Sequence, residues 1–178
     1  VARFGLTGVG FVFTASDPYA GIDLDDCRDP ATGAIAEWAL PIVQLLEATG
    51  GPWDVADDVH PRRYADMATP AGLAEIARYA NGIGVHKDLM IPRDANGRLG
   101  PPTTLVADAH AAGLAVHGWT FRAENNFLPT DLRDGPDPAA RGRLTDEICC
   151  YLALGMDGFF TDQTNIGVRA RDEFCAVK

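Results

Sequence analysis

From Gly51 onward the chain alternates between short β-branched or aromatic runs and segments bracketed by helix-capping residues. This alternation restricts the fold more than any other feature. Thr69-Pro70 offers an N-cap followed by proline in the first helical position, which predicts a helix through Ala80, stopped by Asn81-Gly82. Ile83 to Met90 then reads as a strand. A helix capped by Thr103 or Thr104 ends at Gly113, and Leu114 to Phe121 is the next strand. After a loop of Asp, Gly and Pro from Pro129 to Pro138, a helix runs from about Leu144 to Leu154 and is closed by Gly155. Asp157 to Thr161 is a strand and Ile166 to Phe174 a final helix. A strand joined to the next strand through a helix returns as a right-handed parallel crossover. The chain from about residue 41 to 178 is therefore expected to be an α/β stretch of βα units with parallel strands.

The first 40 residues have another texture. Gly8 to Thr14 and Tyr19 to Leu24 read as two strands around the turn Ser16-Asp17-Pro18, hence an antiparallel β-hairpin. The apolar stretch from Ile35 to Leu46, interrupted by Pro41, fits a helix or, from Ile42 onward, a buried strand. Fifteen Lys and Arg against 25 Asp and Glu give a net charge of −10, which disfavours a broad cationic face for nucleic acid. No apolar run approaches the roughly 20 residues of a membrane-spanning helix, and Val1-Ala2-Arg3-Phe4 does not open a signal peptide. A soluble protein with no visible address is expected. Cys27, Cys149, Cys150 and Cys175 lack CxxC spacing, which favours reduced thiols over a disulfide scaffold or structural zinc.

In parallel α/β proteins the chemistry collects where strands end. Three such places stand out: Ile83-Gly84-Val85-His86-Lys87, Val116-His117-Gly118-Trp119-Thr120-Phe121-Arg122, and Gly155-Met156-Asp157-Gly158-Phe159-Phe160-Thr161-Asp162. With Ile42 to Leu46 and Tyr79 to Gly84, they resemble the last strands of the glycerophosphodiester phosphodiesterase family, over roughly Ile42 to Val177. The resemblance implies a TIM barrel. A complete barrel of about 250 residues would not fit in 178, so a partial TIM barrel is expected. It also implies divalent-metal-dependent hydrolysis, with Mg or Ca, of small glycerophosphodiesters from lipid metabolism to glycerol 3-phosphate and an alcohol. The branch resembled is usually exported. The family's opening His-Arg-Gly, Glu/Asp pair and His-Asp are not found here, so no catalytic residue is assigned and the chain's activity is an open question.

Three residues are the substrate-binding candidates. Arg122, just after a strand, offers a fork of donors to a phosphate, or is a solvated loop arginine. Trp119 shares a face with His117 and Phe121 by period-2 alternation, and either floors a glycerol pocket or belongs to the core. Lys87 steers a phosphate as a point charge or is an ordinary surface lysine. His86 and His117 are expected to be hydrogen-bonded structural histidines, and Asp162 to cap the last helix or organise the rim.

Gly10-Phe11-Val12-Phe13-Thr14, Gly21-Ile22-Asp23-Leu24-Asp25-Asp26-Cys27-Arg28-Asp29-Pro30 and Trp38-Ala39 resemble the start of the bifunctional primase-polymerase family. Asp23 and Asp25, two apart on a strand, project from one face and could bind a divalent metal together, or form an exposed acidic turn. The family's later Ser-x-Ser-Gly-x-Gly stretch is absent. The chain thus reads as a composite: a primase-like segment over 1–40 and a phosphodiesterase-like partial barrel over 41–178. Three functions follow: a phosphodiesterase, a noncatalytic phosphate or diester binder, and a nucleotide–metal binder through Asp23 and Asp25. Open sheet edges could also drive self-association.

Overall fold

The computed structural model describes residues 41–52 and 62–176. The expected hairpin, with Asp23 and Asp25, lies outside the described residues. Within them, four parallel strands lie side by side in chain order: β1 (Val43–Leu46), β2 (Gly82–His86), β3 (Ala115–Phe121) and β4 (Gly158–Thr161). Between them run α1 (Tyr64–Met67), α2 (Pro70–Ile76), α3 (Leu105–Ala111) and α4 (Leu144–Ala153), and α5 (Thr164–Ala176) follows β4. This is the βα alternation expected, in the form of a partial TIM barrel. Of the ambiguous stretch, the described part holds the strand β1 at Val43–Leu46, whose register places Gln44 and Leu46 beside Ile83 and Val85 on the buried face.

Capping decides where the helices begin and end. The Thr69 hydroxyl accepts a hydrogen bond from the Gly72 amide at 3.2 Å, and Pro70 occupies the first turn. At the far ends of α3 and α4, Gly113 and Gly155 have φ of 82° and 97°. In each case the following residue donates back to the helix, Leu114 to Ala109 at 2.9 Å and Met156 to Tyr151 at 3.4 Å. The glycine amides bond to His110 and Leu152, completing two Schellman closures that lead straight into β3 and β4.

Leu46, Ile83, Val85 and Val116 form the fully covered face of the sheet with Leu73, Ile76, Val106, Ala109 and Ile148 from the helices. Burial of these side chains at roughly 1.5–3 kcal/mol each is the dominant force holding helices on sheet. The opposite face carries Val43, Leu45 and His117, with the Phe160 ring 6.3 Å from His117 in an edge contact.

Two expectations need correction. The strand predicted over Ile83 to Met90 ends at His86, because the His86 imidazole Nδ1 accepts the Asp88 amide at 3.2 Å and turns Lys87–Leu89 into a single 3-10 turn. Phe121 does not share a face with Trp119. The pairing of β3 with β4 shifts register between Gly118 and Phe121, so strict alternation is lost. Phe121 turns into the core, edge-on to Tyr151 at 5.1 Å and Phe159 at 5.8 Å.

At the entrance to β3 and β4 one carboxylate fastens the two strands. Asp157 Oδ2 accepts the Val116 amide at 2.9 Å and lies 2.8 Å from His110 Nε2, while the Asp157 amide donates to the Val116 carbonyl. Asp157→Ala should cost about 1–3 kcal/mol, the range for leaving such groups unpaired. A loss of unfolding free energy in urea titrations smaller than that range would show that solvent replaces the carboxylate.

Candidate functional site

The carboxyl ends of β2 and β3 converge on a cavity of about 390 Å³, lined among others by His86, Lys87, Arg93, Trp119, Arg122 and Phe127. Two loops build it. One is the turn after β2, which carries Lys87, Asp88 and Arg93. The other follows β3 and is organised by Asn125, whose buried amide bonds to the backbone of Asp134 and Asp137.

The three substrate-binding candidates come together here, in three different states. Trp119 stands edge-on to the His86 ring, with centroids 5.3 Å apart at 88°, and its buried indole N–H has no hydrogen-bond acceptor among the described residues. The Arg122 guanidinium lies 4.7 Å over the Phe127 ring, and its Nε is 2.7 Å from the Asp162 carboxylate. Asp162 therefore organises the rim, the second of its two expected roles. Lys87 is 4% exposed, with Nζ 2.7 Å from Glu147 Oε1 and 3.2 Å from the Phe127 carbonyl oxygen. An ammonium has three donors, and two are committed to the protein.

Sequence reading missed three participants. Glu147 is fully buried on α4, where a charged residue reads as solvent-facing. Arg93 lies in the turn-rich stretch after β2, donates to the Phe127 carbonyl at 2.5 Å and sits 3.6 Å from Asp88. Phe127 supplies both the ring and the carbonyl. Only the pairing of residues 34 to 60 positions apart brings them together, and no local signal announces it. Electrostatically, each cation has an anion beside it: Lys87 with Glu147, Arg93 with Asp88, Arg122 with Asp162.

His117 lies on the open sheet face, in contact with Phe160. A Cβ on Gly158 would come within 2.8 Å of its ring. Burial lowers its pKa from the ordinary 6.5, against the opposing charge of Asp157. The unfolded chain then binds more protons than the folded one in the window below 6.5, so stability is full above that value and is lost as pH falls through the lowered one. His117→Gln should flatten the stability–pH curve below about 6.5. An unchanged slope in denaturant titrations between neutral and mildly acidic pH would assign the effect elsewhere.

Among the described residues no group of three His, Cys, Asp or Glu side chains could hold a metal ion, so the described residues do not fit one and no chemistry is routed through a cation here. Cys149, Cys150 and Cys175 are free thiols, and burial raises the pKa of the first two. No helix among the described residues is long and apolar enough to cross a membrane.

Comparison with known proteins gives the following matches. Residues 24–166 match the glycerophosphoryl diester phosphodiesterase family model. A glycerophosphodiester phosphodiesterase of Arabidopsis thaliana is 39% identical over 103 residues, covering 58% of this chain and 26% of that protein. A second from the same plant is 44% identical over 79 residues, covering 44% and 10%. A DNA primase-polymerase of Nitratiruptor phage NrS-1 is 38% identical over 48 residues, covering 27% and 7%. The chain spans about a quarter of the first relative's length and a tenth of the second's.

Proposed function

Because the chain belongs to the glycerophosphoryl diester phosphodiesterase family, we propose that its cavity binds the phosphodiester group of a small glycerophosphodiester, as part of hydrolysis to glycerol 3-phosphate and an alcohol. The carrying observation is that Arg122 and Trp119 line one cavity at the carboxyl ends of the strands, the buried Trp119 N–H having no acceptor among the described residues. A guanidinium offers planar paired donors to phosphoryl oxygens. The Trp119 indole supplies an apolar wall for the glycerol carbons, and its N–H donates to a hydroxyl or phosphoryl oxygen. Lys87 contributes positive charge from behind, largely balanced by Glu147.

Glycerophosphocholine titrated into the chain should bind, and Arg122→Ala should weaken it about ten- to a hundredfold, the value of a charged hydrogen bond. Equal affinity in the variant would remove Arg122 from the site. Release of glycerol 3-phosphate, measured with Mg, with Ca and with a chelator, separates a hydrolase from a diester-binding module. Metal-dependent turnover supports the former, and binding without turnover supports the latter. Any ion would need ligands outside the described residues, where Asp23, Asp25 and Asp26 are the candidates.

The primase-polymerase match supports a second reading, nucleotide–magnesium binding through Asp23 and Asp25. It predicts a binding heat that disappears when both aspartates become alanine. The same heat from the double variant would eliminate it.

A further inference from the structure

Behind the cavity a single carboxylate oxygen faces two cations. Glu147 Oε1 is 2.7 Å from Lys87 Nζ and 4.0 Å from Arg93 Nη2. Both cations donate onward to the same acceptor, the Phe127 carbonyl oxygen, at 3.2 Å and 2.5 Å. Arg93 reaches the Leu128 carbonyl as well, at 3.4 Å. Two positive groups that crowd one backbone oxygen repel each other, and Glu147 is the anion that faces both, with Asp88 beside Arg93 at 3.6 Å. The Glu147 side chain is 0% exposed, so water cannot supply that compensation. The far side of Phe127 is its ring, 36% exposed, with the Arg122 guanidinium stacked on it. Arg122 is thus held between this ring and the Asp162 carboxylate.

We propose that Glu147 is a positioning residue of the binding site: through Lys87 and Arg93 it anchors the Phe127 backbone, and through the Phe127 ring it aims the Arg122 guanidinium into the cavity. The proposal deepens the phosphodiester reading and rests on it for the ligand, whereas the chain of contacts from Glu147 to Arg122 stands without it. The guanidinium has the orientation fixed by an aromatic platform, a common use of a buried polar pair in support of a binding group.

The test follows the Arg122 Nε–H resonance by nitrogen-edited NMR in the ligand-free chain, together with the affinity for glycerophosphocholine. Phe127→Leu, which deletes the platform, defines the displaced signal. Glu147→Gln should move the Arg122 resonance toward that position and weaken binding about five- to tenfold. Asp157→Ala, destabilising but remote, should leave both unchanged. Should Glu147→Gln fail to fold, the apolar replacement Lys87→Met/Glu147→Leu restores packing without charge, and it should show the same displaced signal. An unmoved Arg122 resonance in either folded variant overturns the proposal. A moved resonance in a chain that binds no diester upholds the positioning role and overturns the phosphodiester reading instead.

Discussion

Glu147→Ala is expected to destabilise the protein by about 3–5 kcal/mol, the cost of removing one partner from a buried ion pair. The variant leaves the Lys87 ammonium, 4% exposed, without its 2.7 Å ion-pair partner. Burial pulls the pKa of Lys87 down and that of Glu147 up, each shift opposed by the charge of the other. Both shifts point toward the neutral forms, so the pair is a costly way to fill this space and is held together by mutual dependence. Its two slopes follow from the signs. Stability rises with pH in the window just below 10.5, where the unfolded chain holds the Lys87 proton, and falls as pH rises from 4.5, where the folded chain holds the Glu147 proton. Lys87→Met/Glu147→Leu should recover most of the loss and flatten both slopes. Denaturant titrations of the two variants decide the matter: if the double variant is as unstable as Glu147→Ala, the pair contributes more than charge balance.

Asn125→Ala should cost about 3 kcal/mol, since one side chain satisfies several backbone groups worth roughly 1 kcal/mol or more each. The residue is 2% exposed. Its Nδ2 donates to the carbonyls of Asp134 at 2.9 Å and Asp137 at 2.8 Å, and its Oδ1 accepts the Asp134 amide at 2.9 Å. The backbone bonds that close the loop elsewhere, from the Asn125 amide to the Ala140 carbonyl at 2.8 Å and from the Gly142 amide to the Ala123 carbonyl at 2.9 Å, do not engage the Asp134 amide. Hydrogen exchange at the Asp134 amide should accelerate in step with the loss of stability. A protected amide with a stability change under about 1 kcal/mol would mean that the loop holds itself. Because the loop carries Phe127, the variant should also weaken diester binding.

Much of the architecture was legible because its signals are local. Thr69-Pro70, Gly113 and Gly155 mark helix ends through the conformations those residues favour, and the alternation of β1 to β4 with helices implied parallel crossovers. The Gly155 to Asp162 motif likewise resolves into local duties: a helix closure, a strand fastener at Asp157, a close approach at Gly158 and a rim carboxylate at Asp162. The failures were nonlocal or a matter of register. Ile83 to Met90 is apolar enough for a strand, yet a side-chain-to-backbone bond at His86 ends it four residues early. Period 2 placed Phe121 with Trp119, and a one-step slip in β3 separated them.

By itself the sequence determined that residues after Gly51 would form parallel βα units, and which family they resemble; it also named Lys87, Trp119 and Arg122, which the fold brings to one cavity. Capping, periodicity and motif order act over a few residues and are written in the chain. Only the tertiary structure decided that Lys87 pairs with Glu147, that the Phe127 ring lies under Arg122, and that the buried Trp119 N–H has no acceptor among the described residues. Those outcomes depend on which desolvated charges meet across distant segments, and a buried charge is defined by its partner in space.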